Sequence, residues 1–250
     1  MQLNSLGRDA RPRGRLGRRR VADRFHDFQI DERLGRPEGD WARRIAMSVL
    51  GIGLSAAGHH EDALSVNEAE LSMMRRLGDS ANNVLTVQTN LATAYSKLGR
   101  HEEALRLKRD VYSGMLNLFG QENNRTFVVG NNYATALLDL KRFKEAKSLL
   151  LKTLPVARRV LGENDETTLR MRWYYAVALL NTGATLDDLR EAVTTLEDLE
   201  RTARRVFGGE HPFTGELEDS LREVRAALRA REGDVEPLRA AVEAMAPGDA

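Results

Sequence analysis

At 250 residues the chain has room for one large domain or two small ones, and 42% apolar with 30% charged residues lets it bury a core. A formal net charge of +1 argues against a general polyanion binder, and the absence of cysteine excludes disulfides, thiolate metal sites and cysteine nucleophiles. The longest apolar stretch without a charge, Ile45 to Gly58, has 14 residues, short of the roughly 20 that a membrane-spanning helix needs.

First in chain order comes an Arg- and Gly-rich leader, 1–36, with little apolar periodicity, which predicts disorder. Residues 1–24 hold eight arginines against Asp9 and Asp23, a local charge of +6 within the total of +1, so the rest carries −5. The leader lacks the apolar core of a secretory signal. Its Arg-rich part, 8–20 (RDARPRGRLGRRR), reads first as a solvated tail, then as a nuclear or nucleic-acid address, then as an organellar transit peptide. No aromatic residue interrupts 8–20, which weakens a single-strand nucleic-acid reading.

From Trp41 onward a pattern repeats. The segments 49–63 (VLGIGLSAAGHHEDA), 90–104 (NLATAYSKLGRHEEA), 132–146 (NYATALLDLKRFKEA) and 174–192 (YYAVALLNTGATLDDLREA) align on Ala63, Ala104, Ala146 and Ala192, at intervals of 41, 42 and 46. Gly78, Gly120, Gly162 and Gly208 keep the same register at 42, 42 and 46, with four extra residues near 184–187 accounting for the longer step. Each unit reads as two helices. In the second, Leu91, Ala94, Tyr95 and Leu98 follow helical spacing to a stop at Gly99, and Ala104, Leu105, Leu107, Val111 and Leu118 follow it to Gly120. Predicted pairs are 41–57 with 60–77, 82–98 with 101–118, 125–140 with 143–161, and 167–183 with 187–206. Roughly 18 residues make a helix of about 27 Å. Small residues (Gly51, Ala92, Ala134, Ala176 and the anchor alanines) let paired helices approach, and stacking the pairs buries the remaining apolar faces, which predicts a solenoid.

Pro155 falls inside the second helix of repeat three, where an interior proline costs roughly 3 kcal/mol; apolar spacing resumes at Val156 and Val160, so a bend is expected rather than a break. Pro212 begins a fifth first-type helix, 213–231, with Leu217, Leu221, Val224 and Leu228 on one face and charges elsewhere, the pattern of a terminal cap. The tail, 234–250, offers a further short helix with Asp234 as N-cap and Pro237 in its first turn.

Three stretches suggest chemistry, and each has a plainer structural reading. GIGLSA (51–56) satisfies Gly-x-Gly-x-x-Ala with Glu70 at the distance of a ribose-binding acid, but it overlies mid-helix residues of the other repeats; its glycines weaken that helix by about 1 kcal/mol each, making the first repeat the one to fray. GHHEDA (58–63) gathers His59, His60, Glu61 and Asp62, yet His60 aligns with His101, Phe143 and Leu189, a half-buried turn position that no metal ligand would yield to Phe. Its carboxylates suit the first turn of a helix. His211, before Pro212, reads as a structural residue that leads the chain into the next helix.

These residues resemble the tetratricopeptide repeat, and more closely its 42-residue kinesin light chain variety. NLATAYSKLGRHEEAL carries the first-helix and turn pattern, and FGGEHPFT (207–214) resembles the Gly-x-x-His-Pro-x-Thr linker between such repeats. The resemblance covers about Trp41 to Gly233 and implies an all-α fold: a right-handed solenoid of antiparallel helix pairs, about four repeats within 37–233 plus the capping helix. It also implies a concave groove lined by first helices, where the residue before the Leu-Ala-type pair meets the ligand. That position is Asn90 and Asn132, with Tyr174 in repeat four and Val49 in repeat one. A carboxamide both donates and accepts, which suits a peptide backbone. Arg170 lies one turn earlier and Thr93 and Thr135 one turn later, Lys97 and Asn181 extend the surface, and Asn131 flanks Asn132.

The expected function is a non-enzymatic scaffold that binds a protein or peptide segment in that groove, with no cofactor, metal, small-molecule substrate or membrane. The alternatives are a light chain-like cargo adaptor and nucleic-acid association through 8–20. The expected compartment is the cytoplasm, with organellar or nuclear targeting by the leader left open.

Overall fold

The computed structural model describes residues 41–180 and 183–245, with side chains over 42–180 and 183–233. The Arg-rich leader and Asn181, both singled out from the sequence, lie outside the described residues. The described helices are α1 (Trp41–Ala56), α2 (His60–Leu77), α3 (Ala81–Lys97), α4 (His101–Phe119), α5 (Asn124–Asp139), α6 (Phe143–Leu161), α7 (Glu166–Leu179), α8 (Leu186–Phe207) and α9 (Pro212–Met245). The fold is an all-α helical-repeat solenoid, and helices pack chiefly on their neighbours in sequence, with α5 also meeting α7. The chain divides after Ser80 into two compact units.

The turn within each repeat closes in the same way. His59 donates its amide to Leu54 O (2.9 Å), Arg100 to Tyr95 O (2.9 Å) and Arg142 to Leu137 O (2.8 Å), each partnered by an amide one residue earlier, the 6→1 and 5→2 pattern of a Schellman end. The pattern needs a left-handed residue, and Gly58 and Gly99 supply it at φ 80° and 74°, while repeat three uses Lys141 at φ 57°. A side chain costs of order 1 kcal/mol there. Lys141→Gly is therefore expected to stabilise the unit by up to about 1 kcal/mol and raise its melting temperature by about 2–4 °C, measured by thermal denaturation.

The linkers between repeats share a second device. Asn123 and Asp165 cap α5 and α7 by accepting the amides of Arg125 (2.9 Å) and Thr167 (2.8 Å). His211 occupies the equivalent place before α9, its Nδ1 accepting from Phe213 N at 3.3 Å while its ring stacks on Phe207. Thr126 and Thr214 donate their hydroxyls back to Gly120 O and Gly208 O, and Arg159 and Arg205 each reach back one repeat, to Glu122 and Asn164. The linkers before α5, α7 and α9 thus start the next helix with their own side chains.

Two elements depart from the sequence pattern, and a third, the helix that holds Pro155, stays in one piece as expected. In repeat four the four extra residues lengthen α8 to 22 residues, against 19 in α6, because Thr185 and Asp188 form a capping box that starts the helix early. The Lys147 ammonium, 2.8 Å away, and the Thr185 bonds hold the Asp188 carboxyl down at about 2. Helix α6 continues through Pro155; the carbonyl that proline leaves unbonded belongs to Leu151, a residue on the exposed side of the helix. Helix α9 runs unbroken through Gly233, Asp234 and Pro237 rather than ending at 231 and restarting. One glycine costs only about 1 kcal/mol in a helix, too little to stop it where helix formers follow.

In the first unit α1 packs on α2 through Leu54, Ala63 and Val66, with Met47 and Leu50 at the margin. Gly51, one of the two glycines that weaken α1, is buried, and a Cβ there would stand 2.4 Å from Asn67 Oδ1, so the helix accepts a poor helix former to make room for an amide. Glu70, fully buried beside it, accepts a hydrogen bond from Ser48 Oγ, and Arg44, paired with Asp79, adds its field. Burial outweighs both and pushes the Glu70 carboxyl above the ordinary glutamate value. A carboxyl whose pKa rises on folding stabilises fully below its unfolded pKa and loses that contribution as pH climbs through the folded value. Amide exchange in α1 and α2 should therefore quicken as pH rises above the ordinary glutamate range, after correction for intrinsic rates, and Glu70→Gln should flatten that slope.

The second unit is a succession of small cores, each shared by neighbouring helices. Leu85, Val111, Met115 and Val129 join α3, α4 and α5; Phe127, Ala134, Leu150, Leu154, Ala157 and Met171 join α5, α6 and α7. The largest joins α7, α8 and α9 through Leu169, Leu179, Leu196, Leu199, Phe213 and Leu217.

Candidate functional site

The first-type helices α3, α5 and α7 of the second unit each place one row of side chains outside the shared cores. The row is Thr86, Asn90, Thr93 and Lys97 on α3; Val128, Asn132 and Thr135 on α5; and Arg170, Tyr174 and Val177 on α7. It follows from the period of 3.6: Leu91, Ala92 and Ala94 turn into the core, so Asn90 and Thr93 turn out. Asn90 and Asn132 are half-buried, and neither carboxamide has a hydrogen-bond partner among the described residues. In the first unit the same positions on α1 are Ile45, Val49 and Ile52, which are 41%, 63% and 56% exposed.

The other predicted groove residues divide into free and committed groups. The hydroxyls of Thr93 and Thr135 donate to Thr89 O and Asn131 O one turn back (3.0 and 2.9 Å), which leaves them as acceptors. Lys97 is exposed at the end of α3. Arg170 is engaged on three sides: its Nε donates to Glu166 at 3.0 Å, its guanidinium lies 5.0 Å over the Phe213 ring, and it shares a hydrogen bond with Tyr174. Tyr174 also stacks on Trp173 at 5.0 Å and packs against the core of repeat three. Both are fixtures of the helix stack that present only an edge.

Asn131 is corrected. It is 8% exposed, and its Nδ2 donates to Thr167 O at 3.3 Å, tying α5 to α7. One step along a helix turns a side chain by about 100°, so Asn131 faces the neighbouring helix where Asn132 faces outward.

A small cleft opens beside Asn132. Thr89, Ala92 and Thr93 of α3, Lys108 and Val111 of α4, and Val129 and Asn132 of α5 line it. Lys108 was not singled out from the sequence. Burial pushes its ammonium below the ordinary lysine value, and Asp139 opposes that through space. The signal was in the register: four residues past each anchor alanine stand Asn67, Lys108, Leu150 and Leu196.

The histidine stretch behaves as a helix start. His59 is the residue before α2 and makes no side-chain cap, while Glu61 and Asp62 fill the first turn. At the position of His60, Leu189 is buried, Phe143 and His60 are half-buried and His101 is exposed, so the position tolerates more water than a uniform half-buried turn. Among the described residues no three His, Asp or Glu side chains come together as metal ligands. No described helix is long and apolar enough to cross a membrane.

Residues 43–116 match one family model of the tetratricopeptide repeat, and residues 130–166 match a second. Among solved structures, the chain is similar to BtubC (BKLC) from P. vanneervenii, with a TM-score of 0.64 at 18% identity over 93% of this chain and 94% of that one. It is also similar to nearly identical TPR-like repeats from Podosopora anserina described as those of a kinesin light chain. Two structures of these give TM-scores of 0.63 and 0.62 at 20% and 21% identity, over 81% and 83% of this chain and 93% and 98% of theirs. At such identities the likeness is one of fold. No curated protein matches the chain.

Proposed function

This chain is a tetratricopeptide-repeat protein, a protein-interaction scaffold in general, and from that premise we propose that it binds an extended peptide segment of a partner along the outward row of α3 and α5. One observation carries the reading: Asn90 and Asn132 hold equivalent places in successive repeats, and among the described residues neither carboxamide has a hydrogen-bond partner. An amide that bonds a peptide N–H and C=O together fixes a backbone without selecting its side chains, and two in register fix its direction. Specificity then falls to a few neighbouring side chains. The work is recognition rather than catalysis: the row offers amides, hydroxyls and a lysine, with no nucleophile–base pair along it.

The test uses the full chain. Peptides selected from a random displayed library on the wild type should bind at least tenfold more weakly to Asn90→Ala/Asn132→Ala, about the worth of one or two lost hydrogen bonds. Thr194→Ala, on the exposed side of α8, should bind them as the wild type does. Equal affinity for the Asn variant and the wild type would sink the assignment.

A further inference from the structure

A larger cleft, of about 350 Å³, opens between α4, α5 and the start of α6. One step along α5 turns a side chain by about 100°, so Tyr133 lines this cleft where Asn132 faces outward. Its ring packs against the core of Leu105, Ala136 and Leu137 and tilts against Tyr112 at 5.9 Å, which fixes where the hydroxyl sits. Repeat four has the equivalent tyrosine, Tyr175, and there the hydroxyl donates to Glu191 at 2.9 Å. Repeat three has the matching carboxylate, Glu145, but Arg142 takes both of its oxygens, at 2.6 and 2.8 Å. Repeat four escapes that competition because Asp188 stands in the place of Arg142. Among the described residues the Tyr133 hydroxyl therefore makes no hydrogen bond. Burial, and then the field of Glu145, push it above the ordinary tyrosine value, so it keeps its proton and stays a donor.

The α4 side of the cleft is distinctive in charge. It presents Arg106 and Arg109, one turn apart and both exposed, where the other repeats place Ser65 and Glu68, Ser148 and Leu151, and Thr194 and Glu197. Like charges at that spacing repel, so helix stability does not account for the pair. Among the described residues Arg106 makes no hydrogen bond or ion pair, and Arg109 pairs with its exposed neighbour Asp110 at 3.3 Å. Two carboxylates share the cleft: Glu145 is engaged by Arg142, and Glu102 acts on that same guanidinium through space. Two guanidinia and a phenol are left, donors from two helices around one opening. A carboxylate is satisfied by a single arginine fork. A phosphate monoester has three acceptor oxygens and close to two negative charges, and can accept from all of these donors.

We propose that this cleft binds the phosphoryl group of a phosphate monoester: the Arg106 and Arg109 guanidinia hold its oxygens and the Tyr133 hydroxyl donates to one of them. The site is separate from the row of Asn90 and Asn132, and neither reading depends on the other.

The experiment titrates the full chain by calorimetry with glycerol 2-phosphate and with a short phosphoserine peptide, against glycerol and the unphosphorylated peptide. Saturable binding of a phosphorylated probe with Kd below about 10 mM is expected, and none of its control. A tighter peptide assigns the seat to a phosphorylated partner, and a tighter or equal glycerol phosphate assigns it to a small molecule; both support it. Tyr133→Phe should weaken binding about three- to tenfold and melt with the wild type, since its hydroxyl has no partner to lose. Arg106→Gln/Arg109→Gln should weaken it at least tenfold, and Glu102→Gln should tighten it about twofold or more. Arg201→Gln removes a charge on α8, at a side chain 77% exposed, and should bind as the wild type does. Failure of both phosphorylated probes to saturate by about 10 mM would overturn the seat. So would unchanged binding to Tyr133→Phe, or an equal loss in Arg201→Gln, either of which would mean that overall charge alone holds the anion. The wild-type titration needs no variant, so the outcome does not hang on how any variant folds.

Discussion

Phe213→Ala is expected to destabilise the second unit by about 3–5 kcal/mol, a large share of the 5–15 kcal/mol that a domain commonly has. Phe213 is 1% exposed and begins the capping helix. Its ring meets Trp173 edge-on at 5.7 Å and Phe207 edge-on at 6.1 Å, with the Arg170 guanidinium 5.0 Å above it. Truncation removes the transfer energy of a whole ring and leaves a cavity walled by α7 and α8, which are packed on each other, so little can collapse into it. The aromatic contacts add about 0.5–1.5 kcal/mol beyond area. Phe213→Leu keeps most of the volume and should cost far less. Urea denaturation followed by Trp173 emission measures both, since the indole is half-buried beside Phe213 and its Nε1 donates to Ser220 of α9 at 2.8 Å. A loss under about 1 kcal/mol for the alanine variant would mean that α9 does not anchor through this ring.

Ending the chain at Gly209 should have the larger effect of removing a folded unit's outer wall. Phe213, Leu217, Leu221 and Val224 of α9 are all buried against α7 and α8. At about 1.5–3 kcal/mol each, these side chains contribute on the order of 6–12 kcal/mol, comparable to the whole stability of a domain. Without them, Leu196 and Leu199, one turn apart on α8, would face water, and end repeats of a solenoid need a polar outer face to stay soluble. The truncated chain is expected to bind a hydrophobic dye, to self-associate in size-exclusion chromatography and to lose its cooperative transition. A monomeric, cooperatively melting product would show that the four helix pairs suffice without α9.

The helix pairs were legible because two punctuation marks, an alanine and a glycine, recur in one register. A repeated pattern supplies its own alignment, so the histidines of 58–63 could be judged against Phe143 and Leu189 without any other sequence. What escaped notice follows from how three helices share a core. Asn131 and Asn132 are the same residue type, and only the direction from which α7 approaches α5 separates a buried tie to Thr167 from an outward carboxamide. Arg170 and Tyr174 fit the groove pattern, but Arg170 lies over the Phe213 ring of α9, 43 residues further along the chain, and Tyr174 packs against the core of repeat three. Lys108 was visible in the register all along; what sequence could not supply was the open cleft beside it. Helix α9 was cut short because Gly233 carries the same letter as the true stops, although those stops work through the left-handed turn that follows them.

The linkers have a consequence for how such a chain grows. Gly120, Gly162 and Gly208 end α4, α6 and α8 in nearly one backbone conformation, φ 77–94° and ψ 164–177°. Each is followed by a residue that caps the next first helix, and the arginines that reach back do so across one repeat. These three joints therefore share one backbone connector, whereas Gly78 ends α2 in the left-handed region at φ 64° and ψ 35°. Duplicating the DNA between two such glycines would add a whole pair that fits its neighbours at once, and deleting it would close the gap just as well. The part of the array from α5 to α8 can change length by recombination without redesigning a loop, while the side chains on the outward rows of its helices are left free to diverge copy by copy.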